Sequence, residues 1–182
     1  MYATTYIRGM PITPDSKDWT WVLERPCREC GFDAESFPRE EMGRRLRANA
    51  TIWRPELATA DARIRPNPER WSVLEYACHV RDVFRIFDWR VSLMQSEENP
   101  QFPNWDQDET AVVERYDLQE SYSVALELEG AAATLADRFD ALRAEEWTRP
   151  GVRSNGSVFT IESIGRYLLH DCVHHAWDIE SQ

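Results

Sequence analysis

The residues of this sequence best suited to chemistry are its four histidines, of which His170 and His174 form a closely spaced pair. Side chains four residues apart on a helix share one face, about 6 Å apart along the axis, so two imidazoles can bind one metal ion. His79 lies far away in the sequence, on a second predicted helix that can face the first. Three neutral imidazoles with one open position form a known type of catalytic zinc site. The spacing therefore predicts a metal site of His79, His170 and His174, although such pairs also occur among packed core or surface histidines.

Carboxylates one helical turn from these histidines are candidates for orienting them. Asp82 follows His79 by three residues, and Asp178 follows His174 by four. A ligating imidazole usually donates its other N–H to a carboxylate or a carbonyl. Either aspartate can instead be an ordinary solvated charge of its helix, and the sequence leaves both interpretations open.

Three further residues near the histidine pair are candidates for binding substrate or supporting the ligands. Arg166 and Tyr167 precede His170 by four and three residues, on its side of the helix. The Arg166 guanidinium can bind a substrate carboxylate through two hydrogen bonds, or it can form an ordinary ion pair. His175 lies about 100° around the helix from His174, so we expect it to support or pack against the site rather than share its metal.

Cys27 and Cys30 form one C-x-x-C motif near the start of the chain. Such a motif supplies two of the four ligands of a zinc site, or a redox pair, and the sequence has no second motif to match it. The two thiols can therefore pair as a disulfide, bind a second zinc ion with distant groups, or lie near the metal site as thiols. Cys78 and Cys172 neighbour proposed ligands in the sequence, but adjacent helical positions diverge, and we interpret both as packing residues.

Four amphipathic segments predict the helices that must position these residues. Ser72 and Glu75 have the spacing of a capping box, and Pro38 suits the first turn of a helix. Pro55 is expected to end or kink its helix before the last turn. The predicted helices span residues 38–59, 72–97, 118–142 and 161–179.

The segments between the predicted helices are irregular. Residues 98–112 form a long loop, in which Asn104–Glu109 is expected either to cover a pocket or to begin a short helix. Residues 143–159 contain Pro-Gly and Asn-Gly, which indicate a short hairpin before the last helix. We interpret residues 1–37 as an N-terminal extension and residues 38–182 as one all-α, four-helix bundle domain.

The histidines and their surroundings resemble the DinB-like superfamily. His79 lies in WSVLEYACHVRDVF, and His170 and His174 lie in IGRYLLHDCVHHAWD. The resemblance implies an up-down-down-up four-helix bundle that binds a divalent ion, zinc or nickel, through these three positions. The group includes mycothiol-dependent maleylpyruvate isomerases and bacillithiol transferases, and in the isomerase branch one ligand is a carboxylate. The three predicted ligands here are all histidines, which argues against that particular isomerase activity.

The composition narrows the class of protein and of partner. The 182 residues suit a single domain, and 42% hydrophobic residues suffice for a buried core. A net charge of −11 argues against nucleic acid and anionic membranes as partners. No apolar run is long enough to span a membrane, and Met1–Met10 lacks the pattern of a signal peptide. We therefore expect a cytoplasmic protein with reduced thiols that acts on a small molecule, as a monomer or as a homodimer.

The residues and the resemblance together leave three functions open. The first is a divalent-metal-dependent enzyme, either an S-transferase that uses a low-molecular-weight thiol or a related isomerase or hydrolase. A thiolate held by a metal is a nucleophile at neutral pH, which favours this function. The second is a non-catalytic, stress-associated metal-binding protein, because the sequence offers no unambiguous general base or nucleophile. The third is a redox or structural-zinc protein centred on Cys27 and Cys30.

Overall fold

The computed structural model describes residues 12–13 and 18–181, so the expectation about Met1–Met10 lies outside the described residues. The described part forms five α-helices: α1 (Met42–Leu57), α2 (Val73–Ser96), α3 (Gln107–Val113), α4 (Ser121–Asp140) and α5 (Ile161–Glu180). It also forms a small sheet of β1 (Gln101–Phe102), β2 (Pro150–Arg153) and β3 (Val158–Thr160). None of the helices in this part of the chain is long and apolar enough to cross a membrane.

The helices α1, α2, α4 and α5 form a four-helix bundle, which confirms the predicted fold class. Both α4 and α5 pack against α1 and against α2, so α4 and α5 lie at opposite corners of the bundle. Each helix contributes fully buried side chains to one core, among them Trp53, Phe84, Leu128 and Leu168. Burial of this apolar surface is the main favourable contribution to folding. The bundle is therefore the rigid frame on which α2 and α5 present their histidines.

Side-chain caps determine where the two histidine-bearing helices begin. At α2 the Ser72 hydroxyl accepts a hydrogen bond from the Glu75 N–H, and the Glu75 carboxylate accepts one from the Ser72 N–H, which confirms the predicted capping box. At α5 the side chains of Thr160 and Ser163 make the same reciprocal bonds. Because a helix turns by a fixed angle per residue, these starting points contribute to which side chains face one another.

The first helix of the bundle differs from its prediction at both ends. Pro38 precedes a single 3₁₀ turn at Arg39–Glu41, and the α-helix begins only after that turn. Pro55 lies within the last turn and the helix continues to Leu57, so the expectation that Pro55 ends the helix before this turn is wrong. Proline removes the N–H that would bond to the Thr51 carbonyl, and because Thr51 is exposed, water can satisfy that carbonyl.

The segments between the bundle helices contribute the small sheet and the short helix α3. β2 and β3 are antiparallel, which confirms the predicted hairpin, and β1 adds a third, parallel strand that the sequence did not indicate. Asp106 accepts a hydrogen bond from the Glu109 N–H at 2.8 Å and so caps α3. The segment Asn104–Glu109 therefore begins a short helix, as one of its two interpretations predicted.

The N-terminal segment, residues 18–37, lies along α5. Its 3₁₀ turn at Trp19–Leu23 packs against that helix. Further along the segment, the backbone carbonyls of Ala34 and Phe37 accept hydrogen bonds from Arg166 on α5. The part of the predicted extension that the structure describes is thus attached to the helix that carries the histidine pair.

Candidate metal centre

Helix α5 carries two neighbouring stripes of potential ligands. His170 and His174 lie on one stripe, and Asp171 and His175 lie on the next, about 100° further around the helix. Each stripe therefore presents two ligand side chains one turn apart. The stripes face different parts of the protein, because α2 packs on one side of α5 and the N-terminal segment packs on another.

The stripe that faces α2 forms a cluster of His79, Asp171 and His175, which we call the open centre. The Nε2 atom of His79 lies 3.2 Å from Oδ1 of Asp171, and Nε2 of His175 lies 3.7 Å from the same oxygen. The two imidazole rings are perpendicular, with centroids 4.7 Å apart. One ligand atom from each residue lies within 4.8 Å of the other two. The three side chains therefore converge on one point between α2 and α5.

These separations and this donor set fit a divalent metal ion. Two ligand atoms about 2.1 Å from a zinc ion, at the tetrahedral angle, lie about 3.4 Å from each other. That value falls between the two distances from Asp171 to its histidine neighbours, 3.2 Å and 3.7 Å. Two imidazoles and one carboxylate are also a ligand set of catalytic zinc and other transition-metal sites, in which further positions stay open.

Neighbouring side chains hold the histidines of the open centre in place. The Nδ1 atom of His175 lies 2.9 Å from Oδ2 of Asp178, an arrangement that leaves Nε2 for the centre. Arg70 donates a hydrogen bond to Oδ1 of Asp178 at 3.2 Å. The indole of Trp105 stacks on the His79 ring, with 5.3 Å between centroids. Asp178 thus occupies the position of a carboxylate that orients a ligating imidazole.

The surroundings of the open centre favour the protonation states that a metal ion requires. Burial lowers the pKa of His79, so its imidazole is neutral at pH near 7. Burial raises the pKa of Asp171, but the nearby His79 and His175 outweigh this effect and lower that pKa to about 2. The centre therefore offers a neutral imidazole and an ionised carboxylate at neutral pH.

The open centre lies at the base of a cavity of about 700 Å³, a size that admits a small organic molecule. Asp171 and His175 line the cavity, whereas His79 is completely buried and does not line it. Arg153 is the only arginine or lysine among the described lining residues. Aromatic side chains form much of the wall: Trp19, Trp71, Tyr76, Trp105 and Tyr167.

The stripe that faces the N-terminal segment forms a second cluster of Cys27, Cys30, His170 and His174, which we call the cysteine cluster. One ligand atom from each of the four residues lies within 4.8 Å of the others. The Cys27 sulfur lies 3.8 Å from Nδ1 of His174. Burial lowers the pKa of both histidines, that of His170 to about 4, so both imidazoles are neutral.

The structure divides the three predicted metal ligands between these clusters. His79 lies with Asp171 and His175, whereas His170 and His174 lie with the two cysteines. Residue spacing alone could not show which pair on α5 lies near His79, because this helix carries two pairs of potential ligands, and the members of each pair are one turn apart. Which pair faces α2 depends on the rotation of α5 in the bundle. His175 is separated from His174, as expected, but it lies with His79 as a potential ligand and not as a residue that only supports or packs against that site.

Asp82 does not take the position of an orienting carboxylate for His79. It accepts hydrogen bonds from the Tyr116 hydroxyl at 2.6 Å and from Nε of Arg81 at 2.9 Å. Asp82 is also absent from the residues that line the cavity. Its carboxylate therefore ties α2 to the turn that precedes α4. Asp178, the second predicted carboxylate, orients His175 instead of the histidine for which it was proposed.

The two substrate candidates on α5 point in different directions. Arg166 lies on the stripe of His170, where its guanidinium pairs with Glu162 at 2.8 Å and bonds to backbone carbonyls of the N-terminal segment. It does not line the cavity, and it forms the kind of ion pair that was its alternative interpretation. Tyr167 lies on the stripe of Asp171 and does line the cavity. The 100° step between neighbouring residues accounts for the difference.

Sequence reasoning missed several residues of the site. Asp171 and His175 have the same four-residue spacing as the histidine pair, so that signal was present in the sequence and was passed over. Trp105 was anticipated in part, because covering a pocket was one of the two expectations for Asn104–Glu109, and residues 104–108 do line the cavity. Arg153 reaches the cavity from the hairpin, a placement that the sequence did not indicate. No local pattern encodes such a long-range placement.

Comparisons with known proteins agree with this architecture. A sequence model of the DinB superfamily matches residues 42–179. A similar solved structure is YfiT from Bacillus subtilis, described as a probable metal-dependent hydrolase with an unusual four-helix bundle topology. Its sequence is 16% identical, the alignment covers 80% of this chain and 88% of that chain, and the TM-score is 0.70, so the likeness is one of fold. No curated protein matches the chain significantly.

Proposed function

This chain belongs to the DinB superfamily, and from that premise and the open centre we propose that it is a divalent-metal-dependent enzyme. The proposed ligands of zinc or nickel are His79, Asp171 and His175, in place of the set predicted from the sequence. The proposed reaction joins a low-molecular-weight thiol to a small electrophilic substrate. The observation that carries the proposal is a three-ligand cluster at the base of a cavity large enough for a small molecule.

The number of ligands supports a catalytic rather than a structural role for the open centre, because three protein ligands leave positions for a reactant. A divalent ion supplies Lewis acidity there, which makes a thiol or a water molecule ionise near neutral pH. In thiol transfer, the sulfur bonds to an electrophilic carbon, the bond from that carbon to its leaving group breaks, and the thiol proton is released. The proposed ligand set contains the carboxylate of Asp171, so it is not the all-histidine set that disfavours the isomerase activity.

The chain's own residues have separate roles in this proposal. Asp178 holds the His175 ring so that its Nε2 faces the centre, and Trp105 stacks over His79 and shields it from water. Arg153 and Tyr167 lie together on the cavity wall, with Nη1 of Arg153 3.4 Å from the tyrosine oxygen. A guanidinium beside a hydroxyl suits an anionic group on the substrate.

Hydrolysis is a second candidate function, favoured by the similarity in fold to YfiT, which is described as a probable metal-dependent hydrolase. The same ligands and the same cavity serve either reaction, since only the nucleophile differs. The dependence of turnover on a thiol therefore separates the two functions. A metal-binding protein without catalysis would turn over neither kind of substrate.

The test uses the purified full-length chain loaded with zinc or nickel and a chromogenic aryl halide as the electrophile. We expect conjugate formation with mycothiol and none without a thiol, and we expect Asp171→Asn to abolish it. Asp137→Asn is the matched control, because that exposed aspartate on α4 forms an ion pair only with Arg47 among the described residues. Cleavage of an ester or amide without any thiol would favour the hydrolase, and a metal-loaded chain inactive on both would contradict the enzyme proposal.

A further inference from the structure

The C-x-x-C turn of the N-terminal segment has a closed and well-defined geometry. The Gly31 N–H donates to the Cys27 carbonyl at 3.0 Å, and the Cys27 N–H donates to the Phe32 carbonyl at 2.8 Å. Gly31 has a φ of +72°, in the left-handed region that glycine adopts without strain. Burial raises the pKa of the Cys30 thiol to about 12, and the Phe32 N–H beside the sulfur opposes that rise in part. The turn thus directs both sulfurs toward α5.

Two buried imidazoles on α5 complete the set of four side chains. His170 is only 3% exposed, and its Nε2 atom has no hydrogen-bond partner among the described residues. His174 directs Nδ1 at the Cys27 sulfur, while its Nε2 lies 3.4 Å from the Glu29 carboxylate. A carboxylate on the far nitrogen is the usual partner of a ligating histidine. Both rings are therefore available as neutral nitrogen ligands.

The distances within the cysteine cluster fit a single zinc ion. A sulfur about 2.3 Å and a nitrogen about 2.1 Å from one zinc ion, at the tetrahedral angle, lie about 3.6 Å apart. The separation of the Cys27 sulfur and Nδ1 of His174 is 3.8 Å. All four ligand atoms lie within 4.8 Å of one another, so small side-chain movements suffice to bring them to a common ion.

We propose that Cys27, Cys30, His170 and His174 bind a structural zinc ion, separate from the open centre. The spacings C-x₂-C and H-x₃-H are those of Cys₂His₂ zinc sites. Two thiolates and two imidazoles suit zinc rather than magnesium or calcium. Four protein ligands fill the tetrahedral shell and leave no position for a reactant, so this ion has no part in turnover.

The zinc ion would fasten the N-terminal segment to α5 and so build one wall of the neighbouring cavity. Asp18, Trp19 and Glu29 belong to this segment, and all three line the cavity. The Trp19 ring lies 5.3 Å from the His170 ring and 5.0 Å from the His174 ring, and both histidines also line the cavity. The structural site thus shapes the space in front of the open centre.

Metal analysis and X-ray absorption on the purified full-length chain test the proposal. We expect about two metal ions per wild-type chain, one of them zinc with two sulfur neighbours at about 2.3 Å. The double variant Cys27→Ser, Cys30→Ser should retain about one ion and show no zinc–sulfur contact. Cys78→Ala is the matched control, because it removes a buried thiol on α2 that contacts Tyr116 and Gln119 instead of the cluster.

The variant His79→Gln separates this proposal from the proposed enzymatic function. It should remove the ion of the open centre and leave the sulfur-bound zinc in place. If turnover is lost while the zinc–sulfur signal stays intact, the variant has disrupted only the open centre, and the structural zinc site stands. Loss of the zinc–sulfur signal in this variant would contradict two separate sites.

Measurements on the wild-type chain keep the proposal testable even where a variant fails to fold. Cobalt(II) in place of zinc should show thiolate-to-metal charge-transfer absorption, because cysteine sulfur is a ligand. Mass spectrometry without reductant should find both thiols reduced. A metal bound by nitrogen and oxygen alone, or a disulfide between Cys27 and Cys30 in the metal-loaded protein, would overturn the assignment.

Discussion

The open centre and the cysteine cluster lie side by side on α5, but different parts of the chain complete them. The open centre takes His79 from α2, a helix of the bundle core, and the cysteine cluster takes two thiols from a short turn outside the bundle. The open centre has three potential ligands, of which Asp171 and His175 line the cavity, and the cysteine cluster has four around a common point. Adjacent stripes of one helix can therefore support a reactive site and a structural site without sharing a side chain.

The difference in ligand type follows the same division. Asp171 gives the open centre a carboxylate, which is compatible with an ion that exchanges ligands during a reaction. Cys27 and Cys30 give the cysteine cluster thiolates, which hold zinc in closed sites. Both stripes have the same spacing on α5, so the type of site each one forms depends on whether it packs against α2 or against the N-terminal segment. Each site can therefore be disrupted by substitution while metal binding at the other site is measured.

Removal of both thiols is expected to have the largest structural effect. In the double variant Cys27→Ser, Cys30→Ser, the N-terminal segment should lose its attachment to α5. Binding energy at a structural zinc site is folding energy, about 10–16 kcal/mol in zinc-finger peptides. Hydrogen exchange should therefore rise by orders of magnitude in residues 18–37 and stay unchanged in α2 and α4.

The Cys78→Ala control should leave exchange in the N-terminal segment unchanged. Equal protection of the segment in the double variant and the wild type would mean that packing and Arg166 suffice to hold it. In that case the cysteine cluster would not be structural.

Neutralising the central carboxylate of the open centre is expected to have the largest effect on activity. Asp171→Asn keeps the shape of the side chain but removes the charge that lies between two imidazoles. We expect metal affinity at this site to fall by about 100-fold or more, since even partners outside the ligand shell cost about 10–100-fold. Turnover should disappear while the zinc–sulfur signal persists, and retained affinity would contradict Asp171 as a ligand.

Loss of the orienting carboxylate is expected to weaken the open centre without destroying it. Asp178→Asn removes the charged partner of His175 Nδ1, so metal affinity should fall by about 10–100-fold. Excess metal should restore most of the turnover, because the three ligands remain. A calorimetric titration of the metal-free protein measures the change, and an unaltered affinity would show that Asp178 only stabilises the helix end with Arg70.

Local signals in the sequence were sufficient for most of the fold and only part of the site. The Ser72–Glu75 capping box and the Pro-Gly and Asn-Gly turns act over a few residues, so helix α2 and the hairpin were predicted correctly. The rotation of α5 depends on packing against two helices and the N-terminal segment. For that reason His170 and His174 were joined with His79, although Asp171 and His175 offered the same spacing.

The smallest expected effect concerns the substrate rather than the metal. Arg153 is the only arginine or lysine among the described cavity-lining residues, and the Asn155 side chain accepts a hydrogen bond from its Nε at 2.9 Å. Arg153→Gln should raise KM for a substrate that carries a carboxylate by about tenfold, as expected for the loss of one charge-assisted hydrogen bond. Turnover of a neutral substrate and both metal sites should not change.

The matched control for this prediction is Arg149→Gln, since Arg149 lies beside the same hairpin but bonds to backbone carbonyls of Met94 and Glu97. If both variants raise KM equally, the effect comes from the stability of the hairpin and not from the cavity. If Arg153→Gln alters neutral and anionic substrates alike, Arg153 shapes the wall through its hydrogen bonds and does not bind charge. Only an increase in KM that is confined to the anionic substrate would show that its negative group binds beside Tyr167 and the Arg153 guanidinium.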